Sequence, residues 1–229
     1  MDGMCDTPAA APPARTPRSK LYDGRFYAWA LAPLLAGLHE RVAREVPDGA
    51  RVLDACCGTG AVALRVAPRC ERVLGVDLSP RMIAAAERER LARGEARAAF
   101  RVGDVARLDD IADASFDLAV IVLALHEMPT EARVHVLRSL ARVARRVLVA
   151  DFAAPMPWNL AGLRNRALEL GAGREHFAGF RDYQRRGGLS PLAAAAGLAV
   201  VKERRIDAGT MDLVTLEGAN RQGRQGGSK

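Results

Sequence analysis

Carboxylates and a histidine recur at the ends of short apolar runs, and their chemistry is complementary. The run Val52-Leu53-Asp54-Ala55 ends in a carboxylate and passes into Cys56-Cys57-Gly58-Thr59-Gly60, a turn of small residues. Gly58 and Gly60 carry no Cβ to hold a ligand off the backbone. Residues 61–66 read as a helix whose first amides face the same turn, so a flat or carboxylate-bearing ligand can lie there. A second run, Arg72 to Val76, ends in Asp77, where a carboxylate on a neighbouring parallel strand accepts hydrogen bonds from ribose hydroxyls. A third ends in Gly103-Asp104-Val105, and a fourth, Phe116 to Leu123, leads into Ala124-Leu125-His126-Glu127. His126 and Glu127 are the candidate catalytic pair, because imidazole titrates near neutral pH and a carboxylate beside it can move or hold a proton. A glycine pair after a strand also occurs in dinucleotide enzymes, so the first motif alone leaves both ligands open.

Taken in order, the four strand-end motifs resemble the class I S-adenosylmethionine-dependent methyltransferases. The likeness is to the small-molecule branch that includes the quinone methyltransferases, over about Tyr22 to Leu216. The resemblance implies an α/β, Rossmann-like fold: a mostly parallel seven-stranded sheet with an antiparallel C-terminal hairpin strand and helices on both faces. It implies S-adenosylmethionine as cofactor, S-adenosylhomocysteine as product, and a small-molecule methyl acceptor. Asp54, Ala55, Cys56, Gly58 and Gly60 then hold the methionine end, and Asp77 the ribose. Leu78 lies against adenine, and Asp104 with Val105 meets its edge and face. Gly103, Met82 and Leu123 complete that set, and Tyr22 and Tyr27 belong to an N-terminal lid over the cofactor. Cys56 stands where the family more often has glycine.

Elements must bring these residues together. Leu31, Leu34, Leu35, Leu38 and Val42 recur at helical spacing after the aromatics Tyr22, Phe26, Tyr27 and Trp29. From residue 50 apolar runs alternate with helical stretches, the pattern of crossover units and a parallel sheet. Ser79-Pro80 predicts an N-cap with proline at the first helical position, and the helix runs to about Arg93. Thr130 is the next expected cap, before a stripe of Val136, Leu137, Leu140 and Val143. A strand at 147–150 ends in Asp151, and residues 198–205 and 211–216 read as closing strands. Between them, residues 157–187 form a candidate substrate cap above the carboxyl ends of the strands, where open α/β sheets bind ligands. Its Trp158, His176, Phe177, Phe180, Arg181 and Tyr183 combine apolar faces with cationic tips, suited to an aromatic, anionic acceptor. The expected limits are a methyltransferase domain at 19–217 between disordered tails at 1–18 and 218–229.

With 229 residues, 49% of them hydrophobic, the chain can bury one sizeable core. Its net charge of +7 is almost all arginine spread along an alanine-rich sequence, a pattern that argues against a nucleic-acid footprint. The motif Leu125-His126-Glu127-Met128-Pro129 also lacks the polar-Pro-Pro-aromatic arrangement that grips an extruded base. RNA or protein methylation and a non-catalytic cofactor-binding role are the alternatives. The four cysteines make no disulfide framework and no signal-peptide pattern precedes them, so a reducing cytoplasm is the expected location; a monomer or homodimer is the expected state. The longest apolar run is too short to cross a bilayer. His126, Glu127 and Asp151 could converge above the sheet, but their spacing has no ligand signature and no metal site is expected.

Overall fold

The computed structural model describes residues 32–219, with side chains from residue 35. The expected lid tyrosines Tyr22 and Tyr27, their neighbours Phe26, Trp29 and Leu31, and almost all of both expected tails lie outside the described residues.

The chain runs α1 (Ala32–Glu45), β1 (Arg51–Ala55), a short α2 (Ala63–Val66) with a 3-10 turn (Ala67–Arg69), β2 (Arg72–Asp77), α3 (Pro80–Ala92), β3 (Ala98–Val102) and β4 (Phe116–Val122). A 3-10 turn (Leu125–Glu127), α4 (Thr130–Val143), β5 (Ala144–Phe152), α5 (Leu160–Ala172), α6 (Arg174–Arg185), α7 (Leu189–Ala196), β6 (Leu198–Ile206) and β7 (Met211–Gly218) follow. One seven-stranded sheet has the order β3-β2-β1-β4-β5-β7-β6. The pairs among β1 to β5 are parallel, and β7 runs antiparallel to both β5 and β6. The sheet is therefore the mostly parallel one the sequence implies, with β7 as the reversed strand.

The central strands are apolar on both faces because helices cover both. Val52, Leu53 and Ala55 of β1 and Ala119, Val120 and Ile121 of β4 are fully buried, and α4 lays Val136, Leu137, Leu140 and Val143 onto the sheet. Ser79 caps α3 as expected, accepting from the Met82 amide. Thr130 does not cap α4. It is that helix's first residue, and its hydroxyl donates to Asp182 Oδ2 at 2.9 Å, tying α4 to α6. The helix after β1 ends at Val66 as expected but starts at Ala63 rather than at residue 61, because residues 58–62 are still in the turn.

The connections from β1 lead outward through β2 to β3, and those from β4 lead the other way to β5. The carboxyl ends of β1 and β4 thus flank the switch point of the sheet, where open α/β folds bind ligands.

Candidate functional site

A cavity of about 1310 Å³ opens at that switch point. One wall comes from the ends of β1 to β3. The Asp77 carboxylate at the end of β2 accepts from the Gly58 amide at 2.9 Å on one oxygen and from the Ser79 amide at 2.8 Å on the other. Burial pushes its pKa up, opposed by these two amides. Each oxygen keeps a further lone pair for a ligand hydroxyl. Cys56, Gly58, Asp77, Leu78, Met82, Gly103, Asp104, Val105 and Leu123 all line the cavity.

The glycines of the β1 turn have different physical reasons. Gly58, at φ +54, has nothing within 4 Å of the place a Cβ would occupy, so it leaves open space for a ligand. Gly60, at φ +76, would drive a Cβ to 2.6 Å from the Phe100 ring; its smallness serves packing. Cys56 adopts φ +56, the left-handed conformation that explains why glycine suits this position. Asp54 does not line the cavity. It is buried, accepts from the Ala63 amide at 3.0 Å, and so pins the start of α2 across the turn. Burial pushes its pKa up to about 7. Ala55 is buried behind the turn.

The opposite wall is built around His126, 2% exposed at the end of β4. Leu123 turns the chain there at φ +50, and Leu125 and His126 donate their amides to Asp151 Oδ2 at 2.9 and 3.3 Å. The other Asp151 oxygen meets His126 Nδ1 at 2.7 Å. An ionised carboxylate only accepts, so Nδ1 carries the proton and Nε2 faces away from Asp151. Burial alone would lower the His126 pKa; the charge and hydrogen bond of Asp151, with Glu127 and Glu169 nearby, raise it to about 9. Around Nε2 stand Glu169 Oε2 at 3.6 Å and Glu127 Oε1 at 3.7 Å. His176 Nε2 is 2.9 Å from the same Glu169 oxygen and 3.4 Å from that of Glu127. Burial opposes protonation of His176, but Glu169 and Glu127 raise its pKa.

His176 arrives from the cap because α6 packs tightly on the His126 turn. A Cβ on Gly179 would stand 3.0 Å from the His126 carbonyl oxygen. Arg133, 1% exposed, donates to the carbonyls of Leu125, His126 and Gly179 and to Asp182.

The six cap residues expected to touch substrate separate. His176 lines the cavity. Phe180 and Tyr183 are buried beneath the site, where Phe180 meets Phe152 edge-on at 5.3 Å and Tyr183 lies under the Arg133 guanidinium. Phe177 stacks on Phe180, and the exposed Arg181 lies over Phe177. Trp158 is 81% exposed, its ring covered by Arg166 4.1 Å from the centroid. None of these five lines the cavity. Two residues the sequence reading left without a site role, Glu169 and Arg133, are central to this wall, and Asp151, weighed from sequence only as a metal ligand, orients His126. Arg133 was legible, since it falls on the Val136, Leu137, Leu140 stripe of α4, where a cation needs buried partners. Glu169 had no such signal, because its meeting with His176 depends on the break at Gly173.

Residues 52–146 match the family model described as a methyltransferase domain. The chain is 35% identical to a demethylmenaquinone methyltransferase of Beutenbergia cavernae over 48% of its own length and 43% of that protein's. It is 34% identical to a 2-heptyl-1-hydroxyquinolin-4(1H)-one methyltransferase of Mycobacteroides abscessus, over 46% of its length and 48% of that protein's. The matches thus span under half the length of these curated relatives. Among solved structures, the neocarzinostatin-pathway O-methyltransferase NcsB1, in complex with S-adenosylhomocysteine and 1,4-dihydroxy-2-naphthoic acid, superposes with a TM-score of 0.61 at 23% identity. That match covers 86% of this chain and 59% of that one, and it is a likeness of fold. The strand order and the matched segment agree: residues 52–146 carry a methyltransferase domain on a seven-stranded, mostly parallel sheet.

Proposed function

We propose that the protein methylates a small organic acceptor carrying an oxygen on an aromatic or quinonoid ring. The observation that carries this reading is that one cavity holds Gly58, Asp77 and Asp104 on one wall and His126, Glu127 and His176 on the other. The first wall fits the cofactor. Gly58 leaves its Cβ position open and Asp77 is held by two amides with lone pairs to spare, as a ribose diol requires. Asp104, fixed by the Ala106 amide at 2.9 Å, offers a carboxylate to the adenine edge. When bound there, S-adenosylmethionine supplies a sulfonium methyl group that passes to the acceptor atom, the bonding pair staying on sulfur and S-adenosylhomocysteine leaving as product.

The chain itself has to align the acceptor, exclude water and receive a proton. Alignment and exclusion fall to the apolar stretch Val122 to Ala124 and to α5 and α6 above the cavity. The acceptor proton leaves toward the Glu127 carboxylate, which stands 3.7 Å from the His126 ring that Asp151 holds from behind. The relatives' names point to the acceptor class, since a menaquinone precursor, a hydroxyquinolinone and a dihydroxynaphthoic acid are all oxygenated ring systems.

The test pairs binding with turnover. Asp77→Ala removes charge-assisted hydrogen bonds, so calorimetry should show S-adenosylmethionine binding weakened roughly 10–100-fold. Unchanged affinity would remove Asp77 from the cofactor site. Methyl-labelled cofactor incubated with hydroquinone, naphthol and hydroxyquinolone acceptors should place label in the solvent-extractable fraction. Label recovered only in RNA or protein would overturn the small-molecule reading.

A further inference from the structure

We propose that His126 Nε2, His176 Nε2 and Glu169 Oε2 form a binding site for a divalent transition-metal ion of the zinc type on the acceptor wall of the cavity. Glu127 Oε1 stands beside it. The inference rests on the methyl-transfer reading only for its chemical consequence; the site itself stands on geometry.

Among the described residues these three side chains present ligand atoms that all lie within 4.8 Å of one another. Ligands held about 2.0–2.2 Å from one ion at tetrahedral angles stand about 3.3–3.6 Å apart. His126 Nε2 and Glu169 Oε2 are 3.6 Å apart, and Glu127 Oε1 is 3.4 Å from His176 Nε2 and 3.7 Å from His126 Nε2. The 2.9 Å between His176 Nε2 and Glu169 Oε2 needs only a small opening.

A second observation, independent of the clustering, points to a ligand. His126 Nε2 is buried and has no hydrogen-bond partner, and Glu169 Oε2 is buried without an aligned one. Leaving a buried polar atom unmet costs about 1–3 kcal/mol, so two in contact distance of each other ask for a common partner. The Asp151 hydrogen bond keeps a proton on Nδ1, so the nitrogen that faces the cluster is Nε2, and a metal ion bound there displaces its proton and takes the lone pair. A carboxylate on the far nitrogen of a histidine is the usual orienting contact of a metal-bound imidazole. The backbone is over-determined to match. Asp151 also holds the amides of Leu125, His126 and Phe152, and Arg133 ties the His126 turn to Gly179, three residues from His176.

The donor set chooses the ion. Two imidazoles with one or two carboxylates suit zinc and its divalent neighbours in the first transition row better than magnesium or calcium, which prefer oxygen alone. His126, Glu127, Glu169 and His176 all line the cavity, so the ion's remaining position faces the space left for the acceptor. Three protein ligands with one open position is the arrangement of a catalytic rather than a structural zinc. An ion there lowers the pKa of a hydroxyl that enters the open position, which narrows the acceptor to one that presents a phenolic or enolic oxygen.

The experiment uses the full chain, stripped with a chelator and returned to metal-free buffer. Zinc chloride is titrated by calorimetry and cobalt(II) by its visible absorption, and S-adenosylmethionine binding is measured in parallel. The wild-type protein should take up one equivalent of each metal and show the intense bands of a low-symmetry cobalt site. His176→Ala and Glu169→Gln should each weaken binding by more than about 100-fold. Asp151→Asn should weaken it about 10–100-fold, as loss of an orienting partner does. His176 comes from the cap surface, so its variant keeps the test valid if Glu169→Gln fails to fold. Absence of saturable binding of zinc, cobalt, manganese, nickel and iron(II) by folded protein overturns the inference. So does zinc affinity that survives in both ligand variants. Either result with intact S-adenosylmethionine binding leaves the methyl-transfer reading standing, whereas loss of cofactor binding alone sinks that reading and leaves the metal site to its own data.

Discussion

Cys56 shows how a single residue trades backbone strain against packing. At φ +56 a non-glycine residue in the left-handed region costs about 1–2 kcal/mol, while its partly buried side chain returns part of that by packing on the core. Glycine removes both contributions; valine keeps the burial and adds a branch that the conformation resists. We expect Cys56→Gly to stay within about 1 kcal/mol of wild type and Cys56→Val to lose more than about 1 kcal/mol in chemical denaturation. A valine variant as stable as wild type would remove backbone strain from the account. Burial and the surrounding carboxylates also push the Cys56 thiol well up, so it stays protonated and is no nucleophile. At this scale the sequence showed where Asp77 stands, at the end of a strand with the Ser79 amide two residues on and the Gly58 turn of the neighbouring strand beside it. It was silent where two distant segments must meet, as Glu169 and His176 do, because neither residue alone carries a ligand spacing.

Among the elements, α6 and the Leu125–Glu127 turn decide whether the second wall exists, and Arg133 joins them. Its guanidinium reaches three carbonyls from two elements, and Asp182 answers its charge at 2.8 Å. Arg133→Met fills most of the volume but strands those carbonyls in a buried setting, at about 1–3 kcal/mol for an unmet group. Some carbonyls will find water once α6 loosens. A net loss of about 3 kcal/mol is expected, read as a lower denaturant midpoint. Because the hydrogen bonds of Arg133 go to the Leu125–Glu127 turn and to α6 rather than to the β1 to β3 wall, S-adenosylmethionine affinity should hold within about 3-fold while methyl transfer falls at least about 10-fold. An equal loss of cofactor affinity would mean that the two walls are one cooperative unit. The cap was recognisable from the sequence as an insertion between β5 and α7. Which of its aromatics face the cavity was not, since helical spacing gives a face its period but not its partner, and Phe180 and Tyr183 turn toward β5 and α4.

For the molecule as a whole, the order of four strand-end motifs carried the fold, because each apolar run of a parallel sheet ends on the same edge and puts its polar terminus at one rim. The positive charge stays dispersed. Arg51 pairs with Asp117, Arg90 with Glu87, Arg142 with Asp113 and Arg205 with Asp212, in widely separated parts of the surface. The large cavity lies instead at the switch point, where β2 and β3 wall one side and β4, α5 and α6 the other. A ligand spanning the two walls holds together halves of the sheet that are otherwise joined through the β1 and β4 pairing. It binds only when both halves are native, so it stabilises the whole chain by mass action. At 100 times its dissociation constant, S-adenosylmethionine should add about 2.7 kcal/mol. For a domain of this size that is a rise of roughly 5–11 °C in melting temperature. Asp77→Ala should lose most of the rise at the same cofactor concentration, because the same concentration is then a smaller multiple of its dissociation constant. A rise equal in wild type and variant would mean that the ligand is held elsewhere than at the rim of β2.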